Sequence, residues 1–219
     1  MTFLPKILTV FLLLCISPIL YGQSINHWET IVKNTDTWLY YTGSEPASNW
    51  MQPNFDAKNW TEGQGGFGYG DNDDNTIISS TTAVYIRKVF YLIDTSVIRY
   101  AILHADYDDG FVAYLNGVEI ARNNIGTPGT PPTYSSLANT YKEATLYSGG
   151  KPEDYPLDQA TLKSITKQGT NTLAIQIHNQ SLSSSDLSSN FFLSLGVTDQ
   201  SKNYRPTPNW FTAPNLGST

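Results

Sequence analysis

Cysteine is almost absent from this 219-residue sequence, since the single one, Cys15, lies in an N-terminal apolar stretch. A chain without a pair of cysteines forms no internal disulfide, and the zinc sites built on several cysteines are excluded. Histidine is also scarce: His27, His104 and His178 are scattered, and no HxH or HExxH spacing occurs. A zinc centre is therefore not indicated.

The sequence also contains few basic residues and, after its N-terminus, no long apolar run. Lys and Arg number 13 against 19 Asp and Glu, which gives a net charge of −6. An acidic surface disfavours nucleic acid and anionic membranes as partners. After residue 22, no segment approaches the roughly 18 consecutive apolar residues of a membrane-spanning helix. Neither nucleic-acid binding nor a membrane span is predicted.

The N-terminus has the features of an export signal. Lys6 precedes the apolar run "ILTVFLLLCISPIL", and the small residue Gly22 ends the segment. Cleavage after Gly22 leaves 197 residues with a net charge of −7, because Lys6 is lost. Leu14 stands before Cys15 where a lipoprotein signal has a small residue, so a lipid anchor is not expected. The mature protein is predicted to be secreted or displayed at the cell surface.

The rest of the chain shows short strand patterns and no convincing helical repeat. Runs of β-branched and aromatic residues, separated by turn residues, lie at 83–93, 97–105, 111–115, 118–121, 171–179 and 191–197. Asn116-Gly117 is the preferred dipeptide of a two-residue hairpin turn and joins two of these runs. The run 97–105 is apolar on both faces, as is typical of an interior strand of a sandwich.

Side-chain alternation predicts which face of a strand is buried. The residues expected to face the core are Phe111, Ala113, Leu115, Val118 and Ile120 in the hairpin, and Leu173, Ile175 and Ile177 in the later strand. The residues expected to face outward are Val112, Tyr114 and Glu119, followed by Ala174, Gln176 and His178.

The domain organisation follows from these elements. One all-β domain, a sandwich of two antiparallel sheets, is predicted for residues 23–199, after the signal peptide at 1–22. Residues 123–160 form a long connection rich in Pro, Gly, Ser and Thr, and loops of that length are usually functional or mobile. Residues 200–219 have the composition of a linker.

Four stretches together resemble the galactose-binding-like β-sandwich, a jelly roll attached to many secreted bacterial proteins. They are "NFDAKNW…GGFGYGD" (54–71), "VYIRKVF" (84–90), "ADYDDGFVAYLNGVEIAR" (105–122) and "GTNTLAIQIHNQSLSSSDLSSNFFLSL" (169–195). The resemblance implies the fold and says little about the ligand. Similar domains precede CotH-type kinase-like or metallophosphatase domains, so a catalytic domain in the same longer polypeptide is an expected partner.

The stretch "GQGGFGYGDNDDN" (63–75) combines glycines with carboxylates. Gly63, Gly65 and Gly68 fit the spelling of a dinucleotide-binding loop. That function needs a buried strand before the loop and a helix after it, and the sequence shows neither. The aspartates that follow would repel a pyrophosphate. The nucleotide interpretation is therefore excluded.

The aspartates of this stretch indicate a cation. Asp71, Asp73 and Asn75 have the spacing of the first three oxygen ligands in calcium loops. A complete EF-hand loop is excluded, because Thr76 and Thr82 stand where Gly and Glu are required. A simpler Ca²⁺ site and a solvated acidic turn both remain open. The resemblance adds that galactose-binding-like domains often carry a structural Ca²⁺.

A second acidic group, Asp106, Asp108 and Asp109, precedes the hairpin. It is the alternative Ca²⁺ site, or else it caps the turn. Glycoside hydrolysis needs an acid and a base that face each other across a cleft, which three carboxylates within four residues do not indicate. No GxSxG sequence is present either, so no catalytic residues are predicted.

Five residues are candidates for binding a glycan. Trp50, Tyr69 and Tyr134 lie in loop-like sequence and could stack on sugar rings, and Arg122 and His178 could bind hydroxyl groups. The alternatives are structural: most aromatic residues of a sandwich belong to the core, and an arginine often pairs with a carboxylate.

Three functions remain from the sequence. The first is a secreted, non-catalytic module that recognises carbohydrate or serves a larger extracellular protein. The second is a spacer that positions a CotH kinase-like or phosphatase domain and binds nothing itself. The third is a hydrolase, for which the sequence shows no assembled catalytic group. Fold alone does not decide among them.

Overall fold

The computed structural model describes residues 24–216, whose regular secondary structure is mostly strand. The predicted signal peptide and its cleavage after Gly22 lie outside the described residues. The strands are β1 (His27–Val32), β2 (Thr37–Thr42), β3 (Thr61–Gln64), β4 (Phe67–Gly68), β5 (Thr76–Ile77), β6 (Ala83–Leu92), β7 (Ile98–Tyr107), β8 (Gly110–Leu115), β9 (Val118–Asn123), β10 (Glu153–Leu157), β11 (Gly169–His178), β12 (Ser189–Val197) and β13 (Arg205–Pro206). The helices are a 3-10 turn (Leu146–Ser148) and α1 (Gln159–Ile165).

The strands form two main antiparallel sheets. The five-stranded sheet has the order β10-β7-β12-β1-β13, and the six-stranded sheet has the order β3-β2-β6-β11-β8-β9. β4 and β5 form a small parallel pair outside both. The predicted all-β sandwich of two antiparallel sheets is confirmed, and β7 is an interior strand as its two apolar faces indicated. Within 24–216, no helix is long and apolar enough to cross a membrane.

The inner faces of the two sheets enclose the main core. Leu103 and Leu193 of the five-stranded sheet and Ile86, Phe111 and Ile175 of the six-stranded sheet belong to one buried cluster. The inward face predicted for β11 is confirmed, because Leu173, Ile175 and Ile177 belong to this core cluster whereas Ala174 belongs to a different one. Burial of this apolar surface is the main force that holds the sheets together.

The predicted hairpin of β8 and β9 is confirmed at the turn. Asn116 and Gly117 have φ angles of 52° and 86°, the left-handed conformations that this turn type requires. A bulge then shifts the register, so that Ala113 faces Ala121 while Leu115 faces Val118. The prediction that Val118 faces the core is wrong: it begins an edge strand beside the turn and is 47% exposed.

The connection predicted at 123–160 contains regular secondary structure that the sequence pattern did not indicate. β10 pairs with β7, and α1 follows directly. Asp158 caps the helix by accepting a hydrogen bond from the Thr161 amide at 2.8 Å, and Leu162 is its buried contact. A helix of seven residues is too short to show a periodic apolar pattern, so only the cap could have indicated it.

Part of the segment 200–219, which was predicted to be a linker, is attached to the domain. β13 pairs with β1, and Arg205 forms an ion pair with Asp36. Trp210 and Phe211 then pack their rings on His104, with centroid distances of 5.0 and 5.5 Å. The prediction is therefore wrong for 205–211, because these aromatic and ionic contacts attach the segment to the five-stranded sheet.

Candidate functional site

The outer face of the six-stranded sheet carries a second hydrophobic cluster. The connections 43–60, between β2 and β3, and 124–152, between β9 and β10, place side chains on this face. We call the cluster the covered face; its buried members are Trp50, Trp60, Ala83, Tyr85, Val112, Tyr114, Ile125 and Ala174. Both faces of this sheet are therefore packed.

Trp50 belongs to the covered face. Its ring is 3% exposed and meets Tyr85 and Tyr114 edge-on at 5.1 and 5.8 Å, and it stacks with Trp60 at 6.0 Å. The carbonyl oxygen of Trp50 also accepts a hydrogen bond from the guanidinium of Arg87. The expectation that Trp50 is exposed is wrong, because the connection 43–60 folds back onto the sheet.

His178 points to the predicted face of β11 but is fully buried there. Its Nδ1 donates to the carbonyl oxygen of Ser136 at 2.9 Å, and its Nε2 lies 3.1 Å from the amide oxygen of Gln176. Burial lowers the pKa of His178 to about 4, and the positive charge of Arg122 acts in the same direction. The expected exposure is wrong, because the connection 124–152 covers the ring.

Arg122 and Tyr134 are also held by neighbours. The guanidinium of Arg122 donates two hydrogen bonds of 2.8 Å to the carboxylate of Glu119 and one of 3.1 Å to the carbonyl oxygen of Ile125. The hydroxyl of Tyr134 lies 3.0 Å from that of Thr81, and its ring packs against the covered face. The alternative of a carboxylate partner for Arg122 is therefore confirmed.

Tyr69 lies apart from the other candidates and is half-buried against the main core. Its hydroxyl accepts a hydrogen bond from the Asn179 amide at 2.8 Å and donates to the carbonyl oxygen of Ser184 at 3.4 Å. Three of the five predicted ligand residues, Trp50, Tyr134 and His178, thus meet around one face, where they contribute to packing.

An open groove of roughly 530 Å³ borders the covered face. Its lining residues are Leu39, Pro53, Phe55, Ala57, Lys58, Trp60, Glu62, Arg87 and Val89. The guanidinium of Arg87 lies 5.2 Å from the ring centre of Phe55, and burial lowers the pKa of Arg87 to about 10. The groove was not predicted from the sequence, in which the aromatic spacing of "FDAKNW" (55–60) was the available signal.

The glycine-rich stretch is shaped by close packing against the connection between β11 and β12. A Cβ at Gly68 would lie 1.9 Å from the carbonyl oxygen of Leu187. Gly70 has a φ of +105°, and a Cβ there would lie 2.3 Å from the carbonyl oxygen of Ser185. Only glycine permits these approaches. No helix follows the stretch, in agreement with the exclusion of a nucleotide loop.

The carboxylates of this stretch form a cluster. Carboxylate oxygens of Asp71, Asp73 and Asp74 all lie within 4.8 Å of one another. Asp74, which the sequence did not mark, also belongs to this cluster, and the side-chain amide of Asn75 donates to the carbonyl oxygen of Gly65 at 2.7 Å. Among the atoms of 24–216, the buried Oδ1 atoms of Asp71 and Asp73 have no hydrogen-bond partner.

The electrostatics of this cluster oppose three charged carboxylates. Burial raises the pKa of Asp73 to about 6, and the neighbouring Asp71 adds to the increase. Burial also raises the pKa of Asp74 to about 8, helped by the charges of Asp73 and Asp71. The direction of both shifts favours a proton or a cation at this cluster over three free charges.

The second predicted group, Asp106, Asp108 and Asp109, does not act as a unit. Asp106 accepts hydrogen bonds from the amides of Thr145 and Leu146 at 2.7 and 3.1 Å. Both oxygens of Asp109 likewise accept backbone amides, at 2.6 and 2.8 Å. These two residues hold loops in place, which is the capping role that the sequence left open. Metal binding by all three together stays a prediction, and the carboxylates that lie close to Asp108 come from other segments.

Asp108 is placed differently. A carboxylate oxygen of Asp108 lies within 4.8 Å of carboxylate oxygens of Glu143 and Asp186, two residues that the sequence analysis did not select. Burial raises the pKa of Asp108 to about 9, with further contributions from Asp109, Asp186 and Glu143. Because these groups come from distant parts of the chain, no local spacing could have indicated the cluster.

A Ser-His-Asp chain of hydrogen bonds lies on the outer face of the five-stranded sheet. His104 Nδ1 is 2.6 Å from Asp154 Oδ1, and His104 Nε2 is 3.0 Å from Ser194 Oγ. Ser194 is fully buried, it also bonds the hydroxyl of Thr30 at 2.9 Å, and Trp210 covers the imidazole. The strand amides around it are paired within the sheet, so within residues 24–216 no oxyanion hole is found beside the serine. Burial lowers the pKa of His104, in agreement with a neutral core imidazole.

Comparisons with known proteins give only distant structural likenesses. No family model and no curated protein matches the sequence. Solved structures that match include a β-glucuronidase from glycoside hydrolase family 2, at 15% identity and a TM-score of 0.49 over 80% of this chain and 18% of that one. Another is Bacteroides uniformis β-glucuronidase 2 covalently bound to cyclophellitol-6-carboxylate aziridine, at 12% identity and a TM-score of 0.49 over 77% of this chain and 18% of that one.

A β-glucuronidase of an uncultured Clostridium sp. also matches, at 12% identity and a TM-score of 0.48, over 78% of this chain and 29% of that one. This chain thus spans less than a third of the length of each of these neighbours. Likenesses of this degree carry no argument about activity, substrate or ligand. Function has to be argued from the side chains themselves.

Proposed function

We propose that this chain is a non-catalytic β-sandwich module that serves a larger exported protein, with a catalytic domain in the same longer polypeptide as its partner. The covered face is the observation that carries this proposal. Trp50, Tyr134 and His178, which the sequence marks as ligand residues, are used to pack two long connections onto the sheet. A sandwich with this additional packed layer is suited to act as a rigid platform for a neighbouring domain.

The arrangement of polar groups supports the non-catalytic part of the proposal. Ser194, His104 and Asp154 are aligned, but the serine is buried and no oxyanion hole adjoins it. Neither acidic cluster lines the groove beside the covered face. An acid and a base facing each other across a substrate cleft, as glycoside hydrolysis requires, are therefore not found in the part of the chain described here.

An activity assay with a matched variant tests this function. The chain expressed without its predicted signal peptide is incubated with chromogenic glycosides and esters, beside Ser194→Ala. We expect no turnover above buffer for either protein. Turnover that disappears in Ser194→Ala, while that variant keeps the wild-type circular dichroism spectrum, would show that the chain is a hydrolase and contradict the proposal.

Carbohydrate recognition is a second candidate function, favoured by the groove. Its volume lies within the range of about 300–1,000 Å³ that is usual for small-molecule sites. Phe55 and Trp60 provide aromatic surface that can pack on a sugar ring, and the exposed Lys58 and Glu62 can bond its hydroxyls. Glycan binding is thus proposed for the groove, rather than for the loop residues that the sequence indicated.

Affinity electrophoresis through gels containing polysaccharides tests the second candidate. We expect retardation in at least one gel, and Phe55→Ala should abolish it. Tyr91→Ala is the control, because Tyr91 is 60% exposed and does not line the groove. Equal loss of retardation in both variants, or migration of the wild type unchanged by every polysaccharide, would remove the groove from consideration.

We also propose that Asp71, Asp73 and Asp74 bind a structural Ca²⁺. An all-oxygen ligand set suits Ca²⁺ better than zinc, and a loop site tolerates its variable coordination. The cation would neutralise the carboxylates whose pKa values burial raises. Chelation with EDTA should lower the melting temperature of the wild type and have less effect on Asp73→Asn. An equal response of both proteins would contradict this site.

A further inference from the structure

We infer that Asp108, Glu143 and Asp186 form a second divalent-cation site, separate from the one proposed at residues 71–74. Carboxylate oxygens of all three lie within 4.8 Å of one another. The residues come from three segments: the turn between β7 and β8, the connection 124–152, and the connection between β11 and β12. A cation here would join these segments at one point.

The carboxylate of Asp108 is the observation that points to a ligand. Asp108 is 2% exposed, and among the atoms of residues 24–216 its buried Oδ1 has no hydrogen-bond partner. Asp106 at the end of β7 and Asp109 in the same turn as Asp108 are similarly buried, yet both oxygens of each accept backbone amides. Buried polar atoms normally have a partner, so the turn itself does not explain the placement of Asp108.

The surrounding charges leave the cluster negative. Within the described part of the chain, neither Lys nor Arg forms an ion pair with any of the three carboxylates. Lys142 is adjacent in sequence to Glu143, but its ammonium lies 3.5 Å from Glu153 and over the ring of Tyr107 at 4.1 Å. The fourth nearby carboxylate, Asp109, adds to the negative charge around Asp108.

The ligand atoms indicate which cation fits. Three carboxylates without histidine or cysteine disfavour zinc and favour Ca²⁺, Mg²⁺ or Mn²⁺. Ca²⁺ accepts six to eight oxygens in irregular geometry, whereas Mg²⁺ requires a near-ideal octahedron. Ligands that come from two connections and a turn suit the irregular geometry of Ca²⁺. Backbone carbonyls and water would supply the remaining positions of a Ca²⁺ ion.

A nearby phenol allows a direct measurement. The hydroxyl of Tyr141 donates a hydrogen bond to the carboxylate of Glu143. Tb³⁺ occupies Ca²⁺ sites and emits light when a tyrosine close to it is excited. Titration of the metal-stripped chain with Tb³⁺ should give saturable emission that Ca²⁺ displaces. Tyr141→Phe should lower the emission of Tb³⁺ and leave the Ca²⁺ concentration for displacement unchanged.

Variants that remove one carboxylate show which of the two acidic clusters gives rise to the Tb³⁺ emission. Asp108→Asn and Asp186→Asn should each weaken Tb³⁺ binding to this site by at least about tenfold, the lower end of the effect of even outer-shell changes. Asp73→Asn, in the other cluster, and Asp56→Asn, at an exposed ion pair, should leave the Tyr141-dependent emission unchanged. Asp186 is half-buried, so its variant tests the site even where Asp108→Asn unfolds the chain.

Two results would overturn the second site. One is wild-type Tb³⁺ affinity in both Asp108→Asn and Asp186→Asn. The other is complete loss of the emission in Asp73→Asn alone, which would place all cation binding at residues 71–74. Because the readout is cation binding, it is independent of the hydrolysis and polysaccharide assays that test the proposed function.

Discussion

The covered face and the acidic loops both contain residues that the sequence marks as ligand candidates, yet their hydrogen bonding differs. On the covered face, His178 and Arg122 have partners from the chain itself. In the acidic loops, buried oxygens of Asp71, Asp73 and Asp108 have none within residues 24–216. A buried group with partners from the chain fits a structural role, whereas a buried group without one requires an explanation such as a bound ion or water. The hydroxyl of Tyr85 on the covered face is also without a partner within residues 24–216. The polar residue type alone does not distinguish the two.

Of the substitutions proposed, replacement of Trp50 should lower the free energy of unfolding most. Trp50→Ala empties a ring site that is 3% exposed, so we expect a loss of about 3–5 kcal/mol in the free energy of unfolding, measured with urea. Tyr91→Ala, at an exposed position, should stay within about 0.5 kcal/mol. A loss below about 0.5 kcal/mol in Trp50→Ala would mean that the covered face is open in solution.

Without divalent cations, stability should depend on pH through the acidic loops. The pKa values of Asp73, Asp74 and Asp108 are raised from 3.8 to about 6, 8 and 9. Groups with raised pKa values contribute stability below their unfolded pKa and lose it as pH rises through the folded values. In EDTA, the free energy of unfolding should therefore decline from about pH 4 towards pH 9. Added Ca²⁺ should reduce this decline, because the cation replaces the proton.

Urea titrations at several pH values, with EDTA or Ca²⁺, measure this dependence. Asp108→Asn should have a shallower decline in EDTA than the wild type, because its amide does not ionise. A profile that rises with pH in EDTA and is unaffected by Asp108→Asn would show that these carboxylates are solvated in solution.

The covered face should respond to acid in the opposite direction through His178. Burial lowers its pKa from 6.5 to about 4, so the unfolded chain binds a proton first as pH falls. The stability that this neutral imidazole contributes is present above about pH 6.5 and is lost towards pH 4. His178→Gln should therefore lose less stability than the wild type across this interval. Parallel profiles of the two proteins would mean that His178 is exposed.

A smaller effect is expected from the ion pair of the covered face. Glu119→Gln removes the carboxylate that Arg122 contacts through two bonds of 2.8 Å. The partly buried guanidinium of Arg122 loses its charged partner, so the free energy of unfolding should fall by roughly 1–3 kcal/mol. The lower end of that range is expected, because the carbonyl oxygen of Ile125 still accepts a hydrogen bond from Arg122. Glu62→Gln, at an exposed position, is the control. An effect no larger than that of Glu62→Gln would place the pair in solvent.

Much of the fold could be predicted from the sequence, because strand alternation reports local geometry directly. The hairpin at Asn116-Gly117 and the inward face of β11 followed from residue order alone. The covered face could not be predicted in this way. Alternation shows that His178 lies off the core side of β11, but not that a distant connection folds over it.

The acidic sites show the same limit. The spacing of Asp71 and Asp73 indicated two members of a carboxylate cluster that also contains Asp74. Asp108, however, is brought together with Glu143 and Asp186 only by tertiary structure. Its sequence neighbours Asp106 and Asp109 instead accept hydrogen bonds from backbone amides.

Isothermal titration calorimetry of Ca²⁺ into the metal-stripped chain tests most directly whether unpartnered carboxylates bind a ligand. Saturable binding of two Ca²⁺ per chain is predicted, with one lost in Asp73→Asn and the other in Asp108→Asn. At a free Ca²⁺ concentration a hundredfold above the dissociation constant, each site should add about 2.7 kcal/mol to the free energy of unfolding. Absence of saturable heat, together with equal urea midpoints in EDTA and in Ca²⁺, would contradict the proposal that these carboxylates bind Ca²⁺.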